Sequence, residues 1–410
     1  MEKLEVRGKD FCRACESVDL INALNLGTLP IANELLLQPG FCEVFPLELK
    51  VCRRCALGQV ADVVTSARLF RDYRYLSSIS KTFLLHAEKY SNQVLRDLDW
   101  EPGDWVLEIA SNDGYMLKNF QEQGLKVLGV EPAENVAQLA MSKGIPTIGE
   151  FFGSSLAREI LEKYGKPRLI IANNVYAHVP DIQDFTTGLE ILMNERTTVS
   201  IENPSIINLL KDLQFDSIYH EHFSYLSATS VDYLTKKSDL TLTKVDQVST
   251  HGGSNRYWLR KGNHRQSETV NEMIEQERLQ GVTSVEHWTK FGMQVGKIIG
   301  EFREFIQEKR NLGEVVAGYG AAAKASTLIN AAGLRPEDIA LIIDESPEKI
   351  GRFMPTPYVP IIGVDEARTF EIHHIVIFPW NLSLEISSKI RKLLGEKVSV
   401  WRAIPHLEKI

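Results

Sequence analysis

The densest group of ionisable side chains in this 410-residue chain is Tyr219-His220-Glu221-His222-Phe223. Imidazole and carboxyl groups exchange protons near neutral pH, so such a cluster is typical of general acid–base chemistry. The zinc-protease signature HExxH places its histidines one helical turn apart, whereas His220 and His222 are only two residues apart. On a strand these histidines would share one face and Glu221 would point away. The spacing therefore favours proton transfer over metal binding.

Two further clusters contain groups that could join this chemistry. Asn173 to His178 reads NNVYAH and follows a predicted strand, Leu169–Ala172. Because ligands bind outside the carboxyl ends of parallel strands, we expect His178 and Asn174 near a cofactor. The third cluster is Tyr73-Arg74-Tyr75, just before the first long predicted helix.

A strand that ends in a small-residue turn marks a candidate cofactor loop, VLEIASNDG over residues 106–114. Glu131 ends the next predicted strand, about 20 residues later, where a carboxylate can hold ribose hydroxyls. Such loops commonly have glycine at the positions of Ala110 and Asn112. The alanine side chain leaves a ligand less room to approach the backbone. The loop lacks GxGxxG, which disfavours NAD. The pattern predicts a nucleoside cofactor held by Glu108, Ala110, Asn112, Gly114, Glu131 and Asn174.

Four of the five cysteines form two CxxC pairs, Cys12 with Cys15 and Cys52 with Cys55. Two such pairs can complete a tetrahedral shell of four thiolates, which suits zinc. A closed shell leaves no open coordination position, so a structural role is expected. Neither pair lies in the βαβ pattern of a thioredoxin-like redox site. Cys42 is expected to be an ordinary buried thiol.

The composition restricts the partners and the compartment. The 46 basic and 54 acidic residues give a net charge of −8, which argues against non-specific nucleic-acid binding. No apolar run reaches the roughly 18–20 residues that span a bilayer, and the N-terminus lacks the apolar core of a signal peptide. We expect a cytoplasmic protein with no membrane and no nucleic-acid partner, either a monomer or a weak homodimer.

The predicted elements are of the α/β class and divide the chain into three parts. Residues 1–75 read as a small, loop-rich, zinc-binding module. Residues 76–265 alternate strands and helices, which predicts a mainly parallel, Rossmann-like sheet, with two later strands possibly antiparallel. Residues 266–410 begin with long helices that break near 281–283 and continue as a second Rossmann-like α/β unit.

The second α/β unit contains a glycine-rich turn, Gly318-Tyr-Gly320-Ala-Ala-Ala-Lys324. It follows a predicted strand and opens a helix, so its amides and the lysine could meet a phosphate. It is not a P-loop, because the Gly-Lys-Ser/Thr ending is missing. The alternative is a plain strand-to-helix corner.

Taken in order across most of the chain, these motifs resemble the sugar C-methyltransferases that branch nucleotide-linked 4-keto-deoxysugars. The shared pattern comprises the paired CxxC module, the Asp72-Tyr73 region, LEIASNDGYML, GVEPA, NNVYAHVPD, YHEHFSYLS, HGGSNR and GYGAAAKAS. The resemblance implies a zinc-binding module, a class I S-adenosylmethionine-dependent methyltransferase domain and a C-terminal Rossmann-like domain. It also implies that the sugar nucleotide lies between the N-terminal and central domains, with the C-terminal domain closing over the nucleotide.

The same resemblance implies a role for individual residues. Five match the family's active site: the general base His222 and its neighbours Tyr219, Glu221, Tyr73 and His178. The loop from Glu108 to Gly114, with Glu131, matches the part that holds the methyl donor. We expect three further side chains to contact the sugar nucleotide: His220, Arg256 and Lys324, the last at the pyrophosphate.

Two other functions are open to this sequence. A zinc-ribbon methyltransferase acting on RNA or protein would need a basic, aromatic surface, against which the acidic net charge argues. A non-catalytic zinc scaffold would leave the cluster from Tyr219 to His222, and Glu131, without a role.

Overall fold

Three β-sheets organise the computed structural model, which describes residues 10–70, 76–79 and 81–410. They contain four, seven and six strands. Tyr73, expected in the active site, lies outside the described residues. Among the helices of the described ranges, none combines the length and apolar character needed to cross a bilayer.

The N-terminal sheet is built from long antiparallel strands. These are β1 (Leu20–Pro30), β2 (Val44–Cys52) and β3 (Gly58–Val60), followed by the short helix α1 (Ser66–Phe70). The expectation of a loop-rich module was therefore wrong. Strand β1 carries register irregularities between residues 22 and 28, which disturb the period-two pattern that reveals a strand.

The central unit alternates strands and helices, as predicted. Its strands are β4 (Trp105–Ile109), β5 (Lys126–Val130), β6 (Thr147–Ile148), β7 (Leu169–Asn173), β8 (Thr198–Pro204), β9 (Ser224–Tyr225), β10 (Leu240–Val248) and β11 (Ser254–Lys261). Its helices are α2 (Lys81–Asp97), α3 (Leu117–Gln121), α4 (Glu134–Ser142), α5 (Ser154–Tyr164), α6 (Ile182–Leu192), α7 (Ile206–Lys211) and α8 (Ala228–Lys236).

The central sheet has the order β10-β11-β8-β7-β4-β5-β6. Strands β4 to β8 run parallel, and β10 and β11 are antiparallel, as expected. The order reverses between β4 and β7, which opens a crevice at their carboxyl ends. Strand β9 does not join this sheet. It pairs with β3 and completes the N-terminal sheet, so the segment after His222 belongs structurally to the zinc-binding module.

The C-terminal unit is a second parallel sheet behind two long helices. Its helices are α9 (Glu268–Leu279), α10 (Val285–Asn311), α11 (Ala323–Ala331), α12 (Val364–Ala367) and α13 (Ser383–Leu394). Its strands are β12 (Val316–Tyr319), β13 (Ile342–Ile343), β14 (Ile361–Ile362), β15 (His374–Ile377), β16 (Ser399–Arg402) and β17 (Glu408–Lys409). The sheet order is β14-β13-β12-β15-β16-β17, with only β17 antiparallel.

Helix α10 connects the units. Its buried side chains recur at helical spacing, from Trp288 and Phe291 to Phe302 and Phe305, and it packs against β1. The predicted class, an α/β protein with a zinc-binding module and two Rossmann-like units, is confirmed.

Candidate active site

His222 lies in a turn that fixes the protonation of its ring. The backbone N–H of His222 donates to the Tyr219 carbonyl at 3.0 Å. Its Nδ1 lies 2.9 Å from the Ser217 carbonyl oxygen, which can only accept, so Nδ1 carries the proton. Nε2 lies 2.7 Å from the Tyr219 hydroxyl, and in the neutral ring it accepts from that hydroxyl. The basic nitrogen of the neutral imidazole is therefore Nε2.

The expectation that His220 and His222 share the face of a strand was wrong, because the segment turns. His220 is 1% exposed, and its Nε2 contacts the carbonyl oxygens of Phe45 and Pro46 in β2, at 3.3 and 3.2 Å. Burial lowers the pKa of His220. His220 thus ties the turn to the N-terminal sheet, a structural position, although we expected a substrate ligand.

His178, which the strand pattern places near a cofactor and the resemblance places beside the base, approaches His222. It ends a 3₁₀ turn, Tyr176–His178, directly after β7, and its ring centroid lies 4.7 Å from that of His222. Its Nδ1 donates to the Glu221 carbonyl at 2.7 Å. Burial lowers the pKa of His178 to about 4, so this ring is neutral at physiological pH. The Phe70 ring packs edge-on against the His178 ring, with 5.5 Å between the ring centroids.

The Glu221 carboxyl group points toward the loop after β1. Its Oε1 accepts from the backbone N–H and the side-chain amide of Asn33, at 3.3 and 3.0 Å. Its Oε2 is buried and has no hydrogen-bond partner within the described ranges. Burial raises the pKa of Glu221 to about 7. Asn33, which the sequence motifs did not indicate, therefore anchors the turn.

Arg256, expected to contact substrate, is instead engaged in a buried ion pair. Its Nη2 lies 2.6 Å from Glu202 Oε2, and the two side chains are 5% and 2% exposed. His86 Nε2 and Thr250 Oγ1 also contact the Glu202 carboxylate, at 3.0 and 2.8 Å. These partners hold the pKa of Glu202 at about 2 despite its burial. No local sequence signal reveals Glu202, because its partners lie far apart along the chain.

The cofactor loop has the backbone of a glycine-rich turn, although two of its positive-φ positions hold alanine and asparagine. Ala110 and Asn112 have φ values of +56° and +49°, and Gly114 has +79°. Both carboxylate oxygens of Glu131 accept backbone N–H groups at 3.0 Å, Oε2 from Asn112 and Oε1 from Ala133. A carboxylate offers about four acceptor positions, so about two remain for ribose hydroxyls.

Buried polar atoms gather at the carboxyl ends of β4, β7 and β8. Six have no hydrogen-bond partner in the part of the chain that the structure describes: Glu108 Oε2, Ser111 Oγ, Asn173 Oδ1, Asn174 Oδ1, Asn203 Oδ1 and Asn203 Nδ2. Leaving such an atom unpaired costs about 1–3 kcal/mol, so a polar ligand is indicated. Together with Glu131 they fit the nucleoside end of S-adenosylmethionine.

The four predicted zinc ligands converge. The sulfur atoms of Cys12, Cys15, Cys52 and Cys55 all lie within 4.8 Å of one another and are buried. In each CxxC knuckle, the residue after the second cysteine, Glu16 or Ala56, has a positive φ. Its backbone N–H donates to the carbonyl of the first cysteine. Four converging thiols fit a closed tetrahedral zinc site. Cys42 lies outside the cluster and is only half-buried, contrary to expectation.

Through Arg13, the zinc knuckle contacts the residues that follow the turn from Tyr219 to His222. This side chain, 6% exposed, donates to the Phe223 carbonyl and to Ser224 Oγ. Its own backbone N–H donates to Gln59 Oε1 at 2.9 Å. The metal therefore stabilises the module that holds the residue following His222.

Lys324 lies at the carboxyl edge of the C-terminal sheet, next to Trp380 and Asn381. Its Nζ is 3.7 Å from the Trp380 ring centroid and 3.4 Å from Asn381 Oδ1. Burial lowers the pKa of Lys324. Trp380 in turn donates to Asp216, close to His222 in the chain. Neither Trp380 nor Asp216 belongs to a motif that sequence reasoning singled out.

Known protein families match each of the three parts of the chain. Residues 12–70 match a zinc binding domain family, residues 71–245 a methyltransferase domain family, and residues 249–405 the C-methyltransferase C-terminal domain family. The C-methyltransferase NovU of Streptomyces niveus is 32% identical over 394 residues, which cover 95% of this chain and 94% of that protein.

Solved structures resemble the chain more distantly. The PH0226 protein of Pyrococcus horikoshii is 14% identical, covering 48% of this chain and 97% of its own, with a TM-score of 0.37. Magnesium protoporphyrin IX methyltransferase (ChlM) of Synechocystis with bound SAM is 11% identical, covering 44% of this chain and 79% of its own, with a TM-score of 0.32.

The fold and the site define a methyltransferase with an N-terminal zinc-binding module. The chain belongs to the C-methyltransferase family, as its motifs indicated. It is an S-adenosylmethionine-dependent C-methyltransferase with zinc held by four cysteines.

Proposed function

We propose that this enzyme methylates the carbon next to the ketone of a nucleotide-linked 4-keto-deoxysugar in the cytoplasm, with His222 as the general base. The observation that carries the proposal is the pair formed by His222 Nε2 and the Tyr219 hydroxyl, 2.7 Å apart. It places an imidazole nitrogen and a hydroxyl side by side, which is the arrangement that deprotonation next to a carbonyl can use.

The first step is removal of a ring proton. A C–H bond beside a ketone is acidic because its electron pair delocalises onto the oxygen as an enolate. The proton passes to His222 Nε2, while the Ser217 carbonyl stabilises the resulting imidazolium through Nδ1. The Tyr219 hydroxyl, which donates to Nε2 in this structure, turns to the ketone oxygen and stabilises the developing charge.

Bound S-adenosylmethionine would supply an electrophilic methyl group: the enolate carbon would take the methyl as the methyl–sulfur bond breaks, and S-adenosylhomocysteine would leave with the electron pair of that bond. The chain's part is to hold the donor at the carboxyl ends of β4, β5 and β7, through Glu108, Ala110, Asn112, Gly114, Glu131 and Asn174. Orientation of two reactants in one crevice is a large part of such catalysis. His178, neutral through burial, lines the site beside His222 without competing for the proton.

The remaining predicted residues divide into two groups. We propose that Lys324 contacts the pyrophosphate, because its ammonium group lies over the ring of Trp380, which donates to Asp216, at the carboxyl edge of a parallel sheet. Tyr73 and Glu221 keep the active-site roles that the resemblance implies. His220 and Arg256 are left out of the substrate site, because buried contacts with the Phe45 and Pro46 carbonyls and with Glu202 engage them.

The test is turnover with a panel of nucleotide-linked 4-keto-deoxysugars, with the product methyl located by NMR. His222→Ala is expected to lose about 10²–10⁴-fold in kcat and to bind S-adenosylhomocysteine normally. Exchange of the adjacent ring hydrogen with solvent deuterium should stop in the same variant. His264→Ala is the matched control, since His264 is exposed and its ring Nε2 lies 2.8 Å from the Lys261 carbonyl oxygen. A methyl on oxygen or nitrogen, or unchanged turnover by His222→Ala, would contradict the proposal.

A further inference from the structure

Each CxxC knuckle has an arginine directly after its first cysteine, and the fold treats the two arginines differently. Arg53, in the second knuckle, has a side chain that is 51% exposed and pairs with Asp19 at 3.6 Å. Arg13, in the first knuckle, is 6% exposed, and its Nε and Nη1 have no hydrogen-bond partner within the described ranges. Asp181 acts on Arg13 only from beyond hydrogen-bond distance, and more weakly than Cys12 does.

The zinc site carries the opposite charge that the Arg13 guanidinium needs. Four thiolates around one Zn²⁺ leave two negative charges uncancelled. The four cysteines are at most 5% exposed, so water reaches neither the sulfur cluster nor the guanidinium freely. A buried charge is costly unless an opposite charge lies near it. Burial beside Cys12 therefore gives Arg13 and the thiolate cluster a mutual stabilisation.

The first knuckle holds the short strand β9 through the same arginine. Arg13 Nη2 donates to the Phe223 carbonyl and, at 3.1 Å, to Ser224 Oγ, and both of these acceptors are neutral. The backbone N–H of Arg13 donates to Gln59 Oε1, and Gln59 itself pairs with Ser224 between β3 and β9. The guanidinium thus joins the knuckle to the two residues that follow His222.

The second knuckle holds the same strand from the other side. Strand β3 begins at Gly58, shortly after Cys55, and Gly58 pairs with Tyr225. A Cβ at Gly58 would lie 2.9 Å from Tyr225 Cβ, so the two strands approach closely here. Because one metal ion would join both knuckles, it would fix both supports of β9 together.

Strand β9 in turn supports the orientation of His222. The Tyr225 hydroxyl donates to the Ser217 carbonyl at 3.4 Å, and the same carbonyl oxygen lies 2.9 Å from His222 Nδ1. The Tyr225 ring also packs edge-on against the His222 ring, with 6.0 Å between the centroids. A displacement of β9 would therefore move two groups that hold the imidazole in place.

We propose that Arg13 is a positioning residue that links the zinc site to His222: its guanidinium balances the charge of the tetrathiolate and holds β9 behind the imidazole. This inference rests on the proposed function, because the residue that Arg13 positions is the proposed base. It gives the zinc site a part in orienting that base, in addition to its contribution to folding.

Three substitutions in the full-length, zinc-loaded protein test this role. Arg13→Gln removes the charge and keeps an amide donor, whereas Arg13→Lys keeps the charge. Arg53→Gln is the matched control, because it removes an arginine from the same position of the second knuckle. Zinc affinity is measured by competition with a chromophoric chelator, and the His222 tautomer by ¹⁵N NMR of the protein alone. Steady-state kinetics with the panel of 4-keto-deoxysugar nucleotides give kcat and KM.

We expect Arg13→Gln to bind zinc about 10-fold more weakly, because a buried cation no longer offsets the thiolates. Its kcat should fall about 10-fold, as loss of a hydrogen bond from a charged group predicts, with KM for S-adenosylmethionine unchanged. The ¹⁵N spectrum should show the proton of His222 shared between both ring nitrogens. Arg13→Lys should bind zinc like wild type and recover part of kcat. Arg53→Gln should match wild type in every measurement, because solvent and Asp19 already balance that charge.

Unchanged zinc affinity in Arg13→Gln would overturn the proposal, since the guanidinium would then not balance the thiolates. Weaker zinc binding with an unchanged kcat and His222 spectrum would overturn it equally, and so would equal losses in Arg53→Gln. The proposed function survives each of these results and falls only if His222→Ala keeps its turnover. Should Arg13→Gln fail to fold, Arg13→Met, which keeps the apolar stem, replaces it in the same comparison.

Discussion

The Trp380 indole N–H donates to Asp216 Oδ2 at 2.8 Å, joining the C-terminal sheet to the segment that leads into the turn from Tyr219 to His222. Asp216 is 1% exposed and precedes Ser217, whose carbonyl accepts from His222 Nδ1. A Cβ at Gly252 would lie 2.5 Å from the same indole, so the contact is tightly enclosed. The orientation of His222, the proposed base, therefore depends on contact between two units that are remote in sequence.

Trp380→Phe tests that dependence, because it removes the indole N–H and keeps a ring near Lys324. Burial already raises the pKa of Asp216 to about 6, and loss of the donor should raise this pKa further. We expect kcat to fall about 10-fold, the cost of one buried hydrogen bond to a charged group, with KM for the methyl donor unchanged. Steady-state kinetics and ¹⁵N NMR of the His222 tautomer measure the effect.

The control is Trp401→Phe, whose indole N–H donates to His374 Nδ1 at 3.2 Å, away from the active site. It should cost similar stability and leave kcat unchanged. Equal losses of kcat in both variants would mean that Trp380 acts only through general stability.

Zinc removal should unfold the N-terminal module. Structural zinc contributes on the order of 10–16 kcal/mol to folding in small zinc domains. We therefore expect Cys52→Ser to lose zinc and solubility, measured by metal analysis and circular dichroism. Cys42→Ser, outside the cluster, should retain both. If wild type stripped by chelator keeps its melting temperature, the metal has no structural role.

The buried Glu221 carboxyl should make stability depend on pH. Its pKa rises from 4.5 to about 7 on folding, so the folded protein holds its proton more tightly than the unfolded chain. Stability from this group is therefore lost as pH rises from about 4.5 to 7, up to ~3 kcal/mol. Glu221→Gln should be increasingly more stable than wild type between pH 5 and pH 8.

Urea unfolding at both pH values measures this difference. His178 titrates in both proteins, so its contribution cancels in the comparison. A difference that stays constant from pH 5 to pH 8 would show that the Glu221 carboxyl ionises at an ordinary pH.

The cofactor loop should not tolerate a side chain at its last position. Gly114 has φ +79°, and a Cβ would lie 2.7 Å from Ile145 Cγ1. We expect Gly114→Ala to cost at least about 1–2 kcal/mol of stability and to weaken S-adenosylhomocysteine binding. Gly149→Ala, where a Cβ meets no atom within 4 Å, is the control for thermal shift and calorimetry. Comparable losses at both glycines would refute this account.

Much of the architecture was readable from residue order. Strand β4, helix α2 and the break between α9 and α10 follow from apolar spacing, because burial on one face imposes a period on the sequence. The two CxxC pairs indicated the zinc cluster for a similar reason, since two thiols three residues apart can meet one ion. Strand β1 was missed because its irregular register disturbs the expected alternation.

The sequence by itself determined which chemical groups are present: the thiols, the loop before Glu131 and the histidine turn. Only the tertiary structure decided their orientation. It turned His220 into the N-terminal sheet, paired Arg256 with Glu202 and brought Trp380 to Asp216. The physical reason is that a buried polar group must find a partner wherever the packed chain offers one, and such partners lie tens to hundreds of residues away.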